Sequence, residues 1–212
     1  ARGCRKQKSR FLSASELFSY CDYMLLKYRD IYIMTGADII DLFFDIRTDL
    51  DKFAYGTYIL NLAEISANPE EGSYPLFYLL LYSLTMLAYS NTNSTDIANI
   101  YQIKLADILG YRPRLEKCIY CGKALSNSNR FSIMHGGVFC NSCYNRDKSG
   151  YNISMGTIKT MLYILNTDLS RLKNLKFTSQ TRDEISFLIG EYLAQHLEQY
   201  ARAKEFIDRL KI

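Results

Sequence analysis

The sequence predicts an α+β fold that is mostly helical, with a short strand region first and a small cysteine-rich module between helical blocks. Three observations support this class. Residues 17–28 and 31–34 are rich in the aromatic and β-branched residues that favour strands. From about residue 48 onward, apolar residues recur at helical spacing behind capping residues. Two Cys-x-x-Cys pairs, separated by eighteen residues, interrupt the helical pattern.

The strand region extends to about Gly36, and a turn at Arg29 and Asp30 divides it into two strands. Two cysteines here, Cys4 and Cys21, are interpreted as small buried hydrophobic residues. Most of the nearby aromatic residues are expected in the core, although each could stack on an unpaired base; they are Phe11, Phe18, Tyr20 and Tyr23.

Capping residues mark the start of each predicted helix. Thr48 or Asp49 begins a helix that runs to about residue 66, and Ser73 with Pro75 begins the next. Ser94 is expected to cap a third helix, which ends at Gly110. Residues 155–166 form a short helix, and residues 183–210 form one long helix.

The longest apolar stretch covers residues 74–90 and contains Pro75, Ser83 and Thr85. A membrane span needs about 20 predominantly apolar residues. We therefore expect a buried core helix here and no membrane partner.

Positive charge is concentrated in two short segments. Residues 1–10 hold five basic and no acidic residues, and residues 111–150 hold seven basic and two acidic residues. Residues 11–110 hold five basic and thirteen acidic residues, although the whole chain carries only +4. Such segregation is typical of a protein with a face that binds a polyanion.

The two cysteine pairs are Cys118 with Cys121 and Cys140 with Cys143. Their spacing matches the four-cysteine zinc pattern, in which a tight turn directs two thiolates at one ion. Gly122 follows the first pair and suits the positive φ of such a turn. Two disulfides or a redox pair are the alternatives. Four cysteines would close the coordination shell, so the predicted Zn²⁺ is structural.

Catalytic constellations are weak in this sequence. Asp38, Asp41, Asp45 and Asp49 recur at spacings of three, four and four, which would place them on one helix face. A magnesium-dependent nuclease could use such carboxylates, but a solvated face is the favoured interpretation. The chain has two histidines and no glycine-rich phosphate loop, so neither a Ser-His-Asp site nor ATP use is indicated.

The basic residues of the first segment could contact phosphates and give salt-sensitive affinity that does not depend on base sequence. A merely solvated strand edge is the alternative. The residues concerned are Arg2, Arg5, Lys6, Lys8 and Arg10.

Several motifs, in order, resemble bacterial RecO proteins. The opening is similar to a stretch of the family's oligonucleotide-binding barrel, through Gly3, Arg5, Lys8, Ser9, Arg10 and Phe11. Residues 47–50 and 58–60 resemble its first helices, and residues 109–113 resemble its approach to the zinc finger. Residues 163–166 resemble the helix after the finger. The resemblance is collinear over nearly the whole chain.

This resemblance implies an α+β, mostly α, architecture with three parts. Residues 1–40 would be the remainder of an N-terminal OB-type β-barrel whose first strands this chain lacks, and residues 41–212 would be a helical domain. Residues 111–150 would be a zinc finger inserted in that domain. By the same resemblance, the four cysteines are the zinc ligands, and the DNA-contact residues are Arg2, Arg5, Lys6, Lys8 and Arg10.

The resemblance also implies a DNA repair and recombination mediator in the cytoplasm, associated with the nucleoid, rather than an enzyme. Such proteins bind single- and double-stranded DNA and anneal complementary strands without ATP. With RecR, and often RecF, they help load RecA onto strands coated by single-strand-binding protein. Two other classes stay open, a zinc-stabilised protein-interaction scaffold without direct DNA binding and the metal-dependent nuclease.

The chain departs from its relatives at one place. Some relatives carry an arginine before the helix end that corresponds to Leu109 and Gly110, in a pocket for the tail of single-strand-binding protein. This chain has Asn99 there, with Lys104 as the nearby basic residue.

Overall fold

The computed structural model describes residues 9–29, 31–68, 71–126 and 128–210. Residues of the basic segment before Ser9 lie outside these ranges, and so does Cys4. The elements are β1 (Tyr20–Tyr28), β2 (Ile31–Asp41), α1 (Phe44–Thr48), α2 (Leu50–Ser66), α3 (Tyr74–Tyr89), α4 (Ser94–Ile108), β3 (Asn129–Ser132), β4 (Gly137–Cys140), β5 (Tyr151–Ile153), α5 (Met155–Asn166), α6 (Leu169–Leu172), α7 (Ser179–His196) and α8 (Tyr200–Leu210). The fold is mixed and mostly helical, as the sequence predicts.

Strands β1 and β2 form an antiparallel two-stranded hairpin. The second strand is longer than predicted, because it passes Gly36 and pairs as far as Asp41. The β-branched residues Ile39 and Ile40 favour this extension. Many of the hairpin's large apolar side chains are exposed, including Met24 and Tyr32. Within the described residues the hairpin is not part of a closed barrel.

The helix caps in the structure agree with those predicted from the sequence, with one exception. Asp49 accepts a hydrogen bond from the Lys52 backbone N–H at the start of α2, and Ser73 accepts one from Leu76 at the start of α3. The predicted cap Ser94 is wrong by one residue, because the side chain of Asn93 caps α4. Helix α5 has the predicted bounds.

Helix α3 is only half buried. Its inner face, with Leu79 and Leu87, belongs to the core, whereas Tyr74 is 76% exposed and Tyr78 is 42% exposed. The prediction of a buried core helix is therefore correct for one face alone. In the described part of the chain, every helix falls short of the length and apolarity that crossing a lipid bilayer requires.

The predicted single helix over residues 183–210 is wrong. The structure has two helices, α7 and α8, with a break after His196. Tyr200 turns inward at this break, where it is 1% exposed, and its hydroxyl lies 2.8 Å from that of Tyr58. Burial of this tyrosine against α2 outweighs the propensity to continue the helix.

Helix α4 is the centre of the helical body. It packs against α2, α3, α5 and α7, and residues 96–103 are all buried. A helix buried on all sides is normally apolar throughout. Helix α4 instead buries three polar side chains at spacings of three, those of Asp96, Asn99 and Gln102.

Each of these polar residues has partners on another helix. The Asp96 carboxylate accepts two hydrogen bonds from the Arg182 guanidinium, at 2.6 and 2.9 Å. The Asn99 amide donates to the Arg182 carbonyl at 3.2 Å, and Gln102 accepts from the Tyr58 hydroxyl at 3.1 Å. The network thus fixes α4 against α2 and α7 without leaving these buried groups unsatisfied.

Residues 111–150, called the cysteine module below, form loops and two strands, β3 and β4, of a three-stranded sheet that β5 completes. The strand order is β4-β3-β5, all antiparallel, and β5 leads directly into α5. Phe131 on β3 is fully buried and lies edge-on to Tyr192 of α7, with ring centroids 5.9 Å apart. One face of the module is therefore attached to the helical body.

Candidate metal centre and basic surface

The four cysteines converge on one point. Their sulfur atoms all lie within 4.8 Å of one another, and the Sγ atoms of Cys121 and Cys140 are 3.7 Å apart. Four sulfurs bound at about 2.3 Å around one tetrahedral ion would be roughly 3.8 Å apart. A disulfide needs a sulfur separation of about 2.05 Å, which the four free thiols do not approach. The donor set therefore fits a single metal ion.

A tight turn positions the first pair. The Gly122 N–H donates to the Cys118 carbonyl at 2.9 Å, and the Cys118 N–H donates to the Lys123 carbonyl at 3.0 Å. Gly122 has φ +71°, and no atom lies within 4 Å of the place where its Cβ would be. Glycine is required here because the backbone has a positive φ, and not because a side chain would clash with neighbouring atoms.

The second pair lies where β4 ends. Cys140 is the last residue of β4, and Cys143 lies in the 3-10 helix Asn141–Arg146 that follows. The Cys140 N–H points at the Cys118 sulfur at 3.4 Å. Asp147 closes this helix, because its backbone N–H donates to the Tyr144 carbonyl at 3.1 Å. Its carboxylate also accepts hydrogen bonds from Ser149 and Ser132. Local turns thus aim both pairs at the same point.

Ionisation of the thiols is uneven in the absence of a cation. Burial opposes ionisation of Cys118, but backbone N–H groups of Cys140, Cys121 and Tyr120 outweigh it and lower the pKa of this thiol to about 6. Burial, together with the other three sulfurs, raises the pKa of Cys143 to about 12. A bound cation would favour the thiolate form of all four.

The module has little apolar core of its own. Apart from the face attached to the body, its buried cluster consists of Phe139 and three of the cysteines. Phe139 is fully buried, and its ring leaves no room for a side chain at Gly150. Such a cluster is too small to hold a fold, so a metal ion would contribute much of the module's stability.

The predicted aspartate face does not form. Asp38 and Asp41 lie on β2, Asp45 lies in α1, and Asp49 caps α2. Through the described residues, the four cysteines are the one group of three or more Cys, His, Asp or Glu close enough to share an ion. The helical-face prediction is therefore wrong, because β2 continues through the first two aspartates.

Asp41 has a structural partner instead. Both of its carboxylate oxygens accept from the Tyr89 hydroxyl at 2.8 Å, and one accepts from the Phe43 N–H at 2.8 Å. The hydrogen bond to Asp41 raises the pKa of Tyr89 to about 12, with smaller contributions from burial and from Asp45. This contact ties the hairpin to the end of α3.

The two histidines are separate from each other. His135 is exposed on the turn between β3 and β4, as expected for a surface role. The ring of His196 stacks on Tyr111 at 4.1 Å and lies edge-on to Tyr192 at 4.7 Å. His196, the last residue of α7, therefore packs against Tyr111 of the module, a contact that the sequence did not predict.

Of the predicted DNA-contact residues, only Arg10 lies within the described ranges. It is exposed, its guanidinium lies 4.6 Å from the centre of the Phe11 ring, and it donates to the Thr35 carbonyl at 2.9 Å. Arg10 thus lies beside β2. The other four, Arg2, Arg5, Lys6 and Lys8, lie outside the described residues.

The basic residues of the cysteine module differ in their freedom. Arg112 pairs with Asp107, and Arg130 lies over the Tyr144 ring and donates to the Gly150 carbonyl. Three exposed lysines have ammonium groups that, as far as the structure is described, make neither a hydrogen bond nor an ion pair: Lys117, Lys123 and Lys148. The excess of basic residues in the sequence indicated that this module is positively charged. Which of its basic side chains lack a partner became clear from the structure alone.

Asn99 and Lys104, where the sequence differs from the pattern of some RecO proteins, both make contacts within the protein. Asn99 is 1% exposed and bonded to α7, whereas Lys104 donates to the Leu165 carbonyl at 3.3 Å and the Thr167 carbonyl at 2.8 Å. Lys104 thus satisfies carbonyl groups at the end of α5.

Comparison with known proteins places the chain in a family. Residues 47–205 match the model described as "Recombination protein O C terminal". The chain is 29% identical to the DNA repair protein RecO of Acetivibrio thermocellus over 214 residues, which covers 100% of this chain and 85% of that relative. It is 30% identical to the DNA repair protein RecO of Desulforamulus reducens over 211 residues, covering 99% and 82%. The chain therefore belongs to the RecO family of DNA repair proteins.

Proposed function

We propose that this protein is a non-catalytic mediator of DNA repair and homologous recombination. It binds single- and double-stranded DNA, anneals complementary strands without ATP, and acts with RecR and RecF to load RecA onto strands coated by single-strand-binding protein. Its place is the cytoplasm, associated with the nucleoid. Family membership over residues 47–205 supports the class of function.

The metal of the cysteine module is proposed to be structural Zn²⁺, held by Cys118, Cys121, Cys140 and Cys143. Tetrahedral four-sulfur sites favour zinc or iron, and zinc takes them as closed structural sites. A closed shell leaves no position for a substrate or an activated water. The ion would then serve the fold and not a reaction.

The observation that carries the DNA-binding proposal is the free positive charge on this module. Residues 111–150 hold seven basic and two acidic residues, and all three lysines among them are exposed, with ammonium groups that have no partner in the part of the chain that the structure describes. Lysines of this kind neutralise phosphates and release counterions, which gives salt-sensitive affinity. A bound metal would fix the turns that carry these lysines.

A second set of phosphate contacts is proposed for Arg2, Arg5, Lys6, Lys8 and Arg10. The exposed position of Arg10 beside β2 supports this assignment. With two basic surfaces, the protein would neutralise two strands at once and lower their mutual repulsion. Annealing then follows from electrostatics alone, without making or breaking a covalent bond.

The hairpin β1–β2 is proposed to be part of an OB-type barrel. Its apolar side chains support this, since Leu25, Leu26 and Ile31 are each more than half exposed, which is typical of a face that packs against further strands. On this proposal, residues 1–40 belong to the barrel, residues 41–212 form the helical domain, and residues 111–150 are a zinc finger inserted in it.

Annealing of complementary oligonucleotides, measured without ATP at low and high salt, tests the proposed function. Metal-loaded protein should accelerate pairing at low salt, and added salt should suppress the acceleration because it screens phosphate contacts. Heat-denatured protein at the same concentration controls for nonspecific charge. A folded, metal-loaded protein that leaves the annealing rate unchanged would contradict the proposal.

A protein-interaction scaffold is the second candidate, and helix α3 favours it. The helix carries no charged residue over its length, and its outer face exposes Tyr74, Phe77 and Tyr78. A face of this kind suits a protein partner better than DNA. Binding of RecR with no DNA affinity at low salt would support the scaffold over the mediator.

A further inference from the structure

A groove lies where the cysteine module meets α5. It encloses about 400 Å³ and lies between residues 112–119, the turn at Gly122 and Leu162 of α5. Its apolar wall is formed by Pro113, Leu115, Ile119 and Leu162. We call it the junction groove. Its volume falls within the range of pockets that hold a small organic ligand, roughly 300–1,000 Å³.

The rim of the junction groove is positively charged. Arg112, Arg114 and Lys117 line it, with Glu116 as the acidic side chain in the lining. Contacts to the protein hold the two arginines in place. Arg112 donates to Asp107 at 2.8 Å and to Asn166 at 2.6 Å, and Arg114 donates to the His135 carbonyl at 2.9 Å.

Lys117 differs from the two arginines. It is exposed, and nowhere in the described ranges does its ammonium group have a hydrogen bond or an ion pair. It is therefore available to a ligand. Arg114 supplies a fixed positive charge, because its partner is a neutral carbonyl, whereas the charge of Arg112 is offset by its ion pair with Asp107. An anionic ligand is the complement of this rim.

Helix α5 carries an aromatic ring and another cation on the face that includes Leu162. Lys159, Leu162, Tyr163 and Asn166 are spaced by three, four and seven residues, so they share one helix face. Leu162 lines the groove, and Asn166 holds Arg112. Tyr163 is 47% exposed on the same face, and Lys159 is exposed one turn away.

This combination selects among anions. Free phosphate would use the cations but not the apolar wall, and an acidic peptide would not need an exposed aromatic ring. A single-stranded nucleotide uses all three features, because its phosphate meets the cations and its unpaired base stacks on the ring. In a duplex the base faces are hidden in the stack.

We propose that the junction groove binds a nucleotide of single-stranded DNA, with Lys117 at the phosphate and Tyr163 stacked on the base. This rests on the proposed function and deepens it, because it locates the single-strand contact at one side of the cysteine module. The apolar wall would exclude water from beside the bound nucleotide.

The first test compares two matched lysine variants, Lys117→Gln and Lys176→Gln. Lys176 is an exposed lysine between α6 and α7, outside the module, and it does not line the groove. Affinity for an oligothymidine strand is measured by fluorescence anisotropy over a range of salt. Loss of one phosphate contact on a single strand lowers the salt slope by about 0.7. We expect this change for Lys117→Gln and none for Lys176→Gln.

The second test uses the absence of tryptophan from the 212-residue chain. The Tyr163→Trp variant places the chain's only tryptophan beside the groove, and the Tyr74→Trp variant places it on exposed α3. Oligothymidine should quench the fluorescence of the first variant and leave the second unchanged. Tyr163→Ala should weaken binding about tenfold, whereas Tyr163→Phe should retain it, because the ring and not the hydroxyl stacks.

The possible outcomes separate the groove from the function. If the wild-type protein binds DNA but both lysine variants change the salt slope equally, the contact is diffuse and the groove proposal fails while the function stands. If the wild type does not bind oligothymidine at low salt, the proposed function fails. If polyglutamate changes the fluorescence of the Tyr163→Trp variant and oligothymidine does not, the groove binds an acidic peptide and the proposal is wrong.

Discussion

The helical body and the cysteine module are stabilised in different ways. In the body, large apolar side chains such as Ile59, Leu62 and Ile97 are fully buried between helices, and a polar network on α4 fixes their arrangement. The module buries one aromatic ring among its cysteines. Apolar burial can hold the body, whereas the module is proposed to need a bound ion in addition to its contacts with α7.

The same two regions differ in charge. Residues 11–110 carry an excess of acidic residues, and residues 111–150 carry an excess of basic residues. The module, which is proposed to depend on metal, is therefore also the part proposed to meet DNA. Perturbing the metal should remove DNA contacts and leave the helical body folded.

The largest effect is expected from Cys143→Ser. A metal site in a zinc-finger peptide is worth about 10–16 kcal/mol of apparent binding free energy, and one lost thiolate opens the shell. We expect the variant to lose its metal and the amide protection of β3 and β4, while α4 stays protected from hydrogen exchange. Metal content per chain and hydrogen exchange measure both effects.

Cys21→Ser is the matched control, because Cys21 is a buried free cysteine of β1 outside the cluster. It should retain the metal. Equal loss of protection in α4 and β3 for the Cys143 variant would contradict the separation of the two regions.

The next largest effect is expected from Asp96→Ala in the body. Its side chain is 3% exposed and that of its partner Arg182 is 26% exposed, so the substitution leaves a largely buried charge unpaired. We expect a loss of about 3 kcal/mol in the free energy of unfolding, at the lower end for a buried pair because Arg182 reaches solvent. Metal content should not change.

Asp107→Ala supplies the comparison for this pair. Asp107 and Arg112 are 31% and 41% exposed, so their ion pair should contribute at most about 1 kcal/mol. Urea unfolding of both variants gives the difference. Similar losses for the two would mean that the α4 network does not stabilise the body.

A smaller effect is expected where the two regions meet. Gly136 has φ +58°, and a Cβ there would lie 2.4 Å from the Tyr192 hydroxyl oxygen of α7. Gly136→Ala should lower the free energy of unfolding by about 2 kcal/mol, because it strains the backbone and displaces the Tyr192 side chain. Gly122→Ala has the same kind of strain with open space around it, and should cost about 1 kcal/mol. Thermal unfolding of both variants isolates the contact with α7.

The smallest effect concerns Glu184, which joins α7 to the start of α5. Its carboxylate accepts from the Ser154 N–H at 2.9 Å. Burial raises its pKa, but hydrogen bonds from Thr157, Ser154 and Gln180 outweigh burial and lower the pKa below its ordinary value. The stabilisation is therefore present at neutral pH and is lost as pH falls through the lowered pKa. Glu184→Gln should lower the free energy of unfolding by about 1 kcal/mol at pH 7. It should also reduce the loss of stability as pH falls, which urea unfolding at several pH values measures.

Local signals in the sequence predicted much of the fold. Asp49 and Ser73 cap their helices as expected, and the cysteine spacing predicted the cluster of sulfurs. These features depend on neighbouring residues, so the sequence alone contains them. The break before α8 depends on burial of Tyr200 against a helix about 140 residues away, which periodicity cannot reveal.

The candidate site follows the same division. The cysteines and the excess of basic residues were visible in the sequence, but the junction groove was not. Its charged rim belongs to residues 112–119, and its wall includes Leu162 of α5, so it exists only once β5 brings these segments together. The predicted aspartate face was wrong because Asp38 and Asp41 have helical spacing in the sequence but lie on a strand in the structure.

We propose that a metal-dependent basic module binds DNA beside a self-sufficient helical body. The affinity of the metal-loaded protein for single-stranded DNA, measured as a function of salt before and after a chelator removes the metal, tests this proposal. Affinity should fall linearly with salt on logarithmic axes, and chelation should weaken binding and flatten this slope while helical circular dichroism persists. An unchanged slope after chelation, or no binding by the metal-loaded protein at low salt, would contradict it.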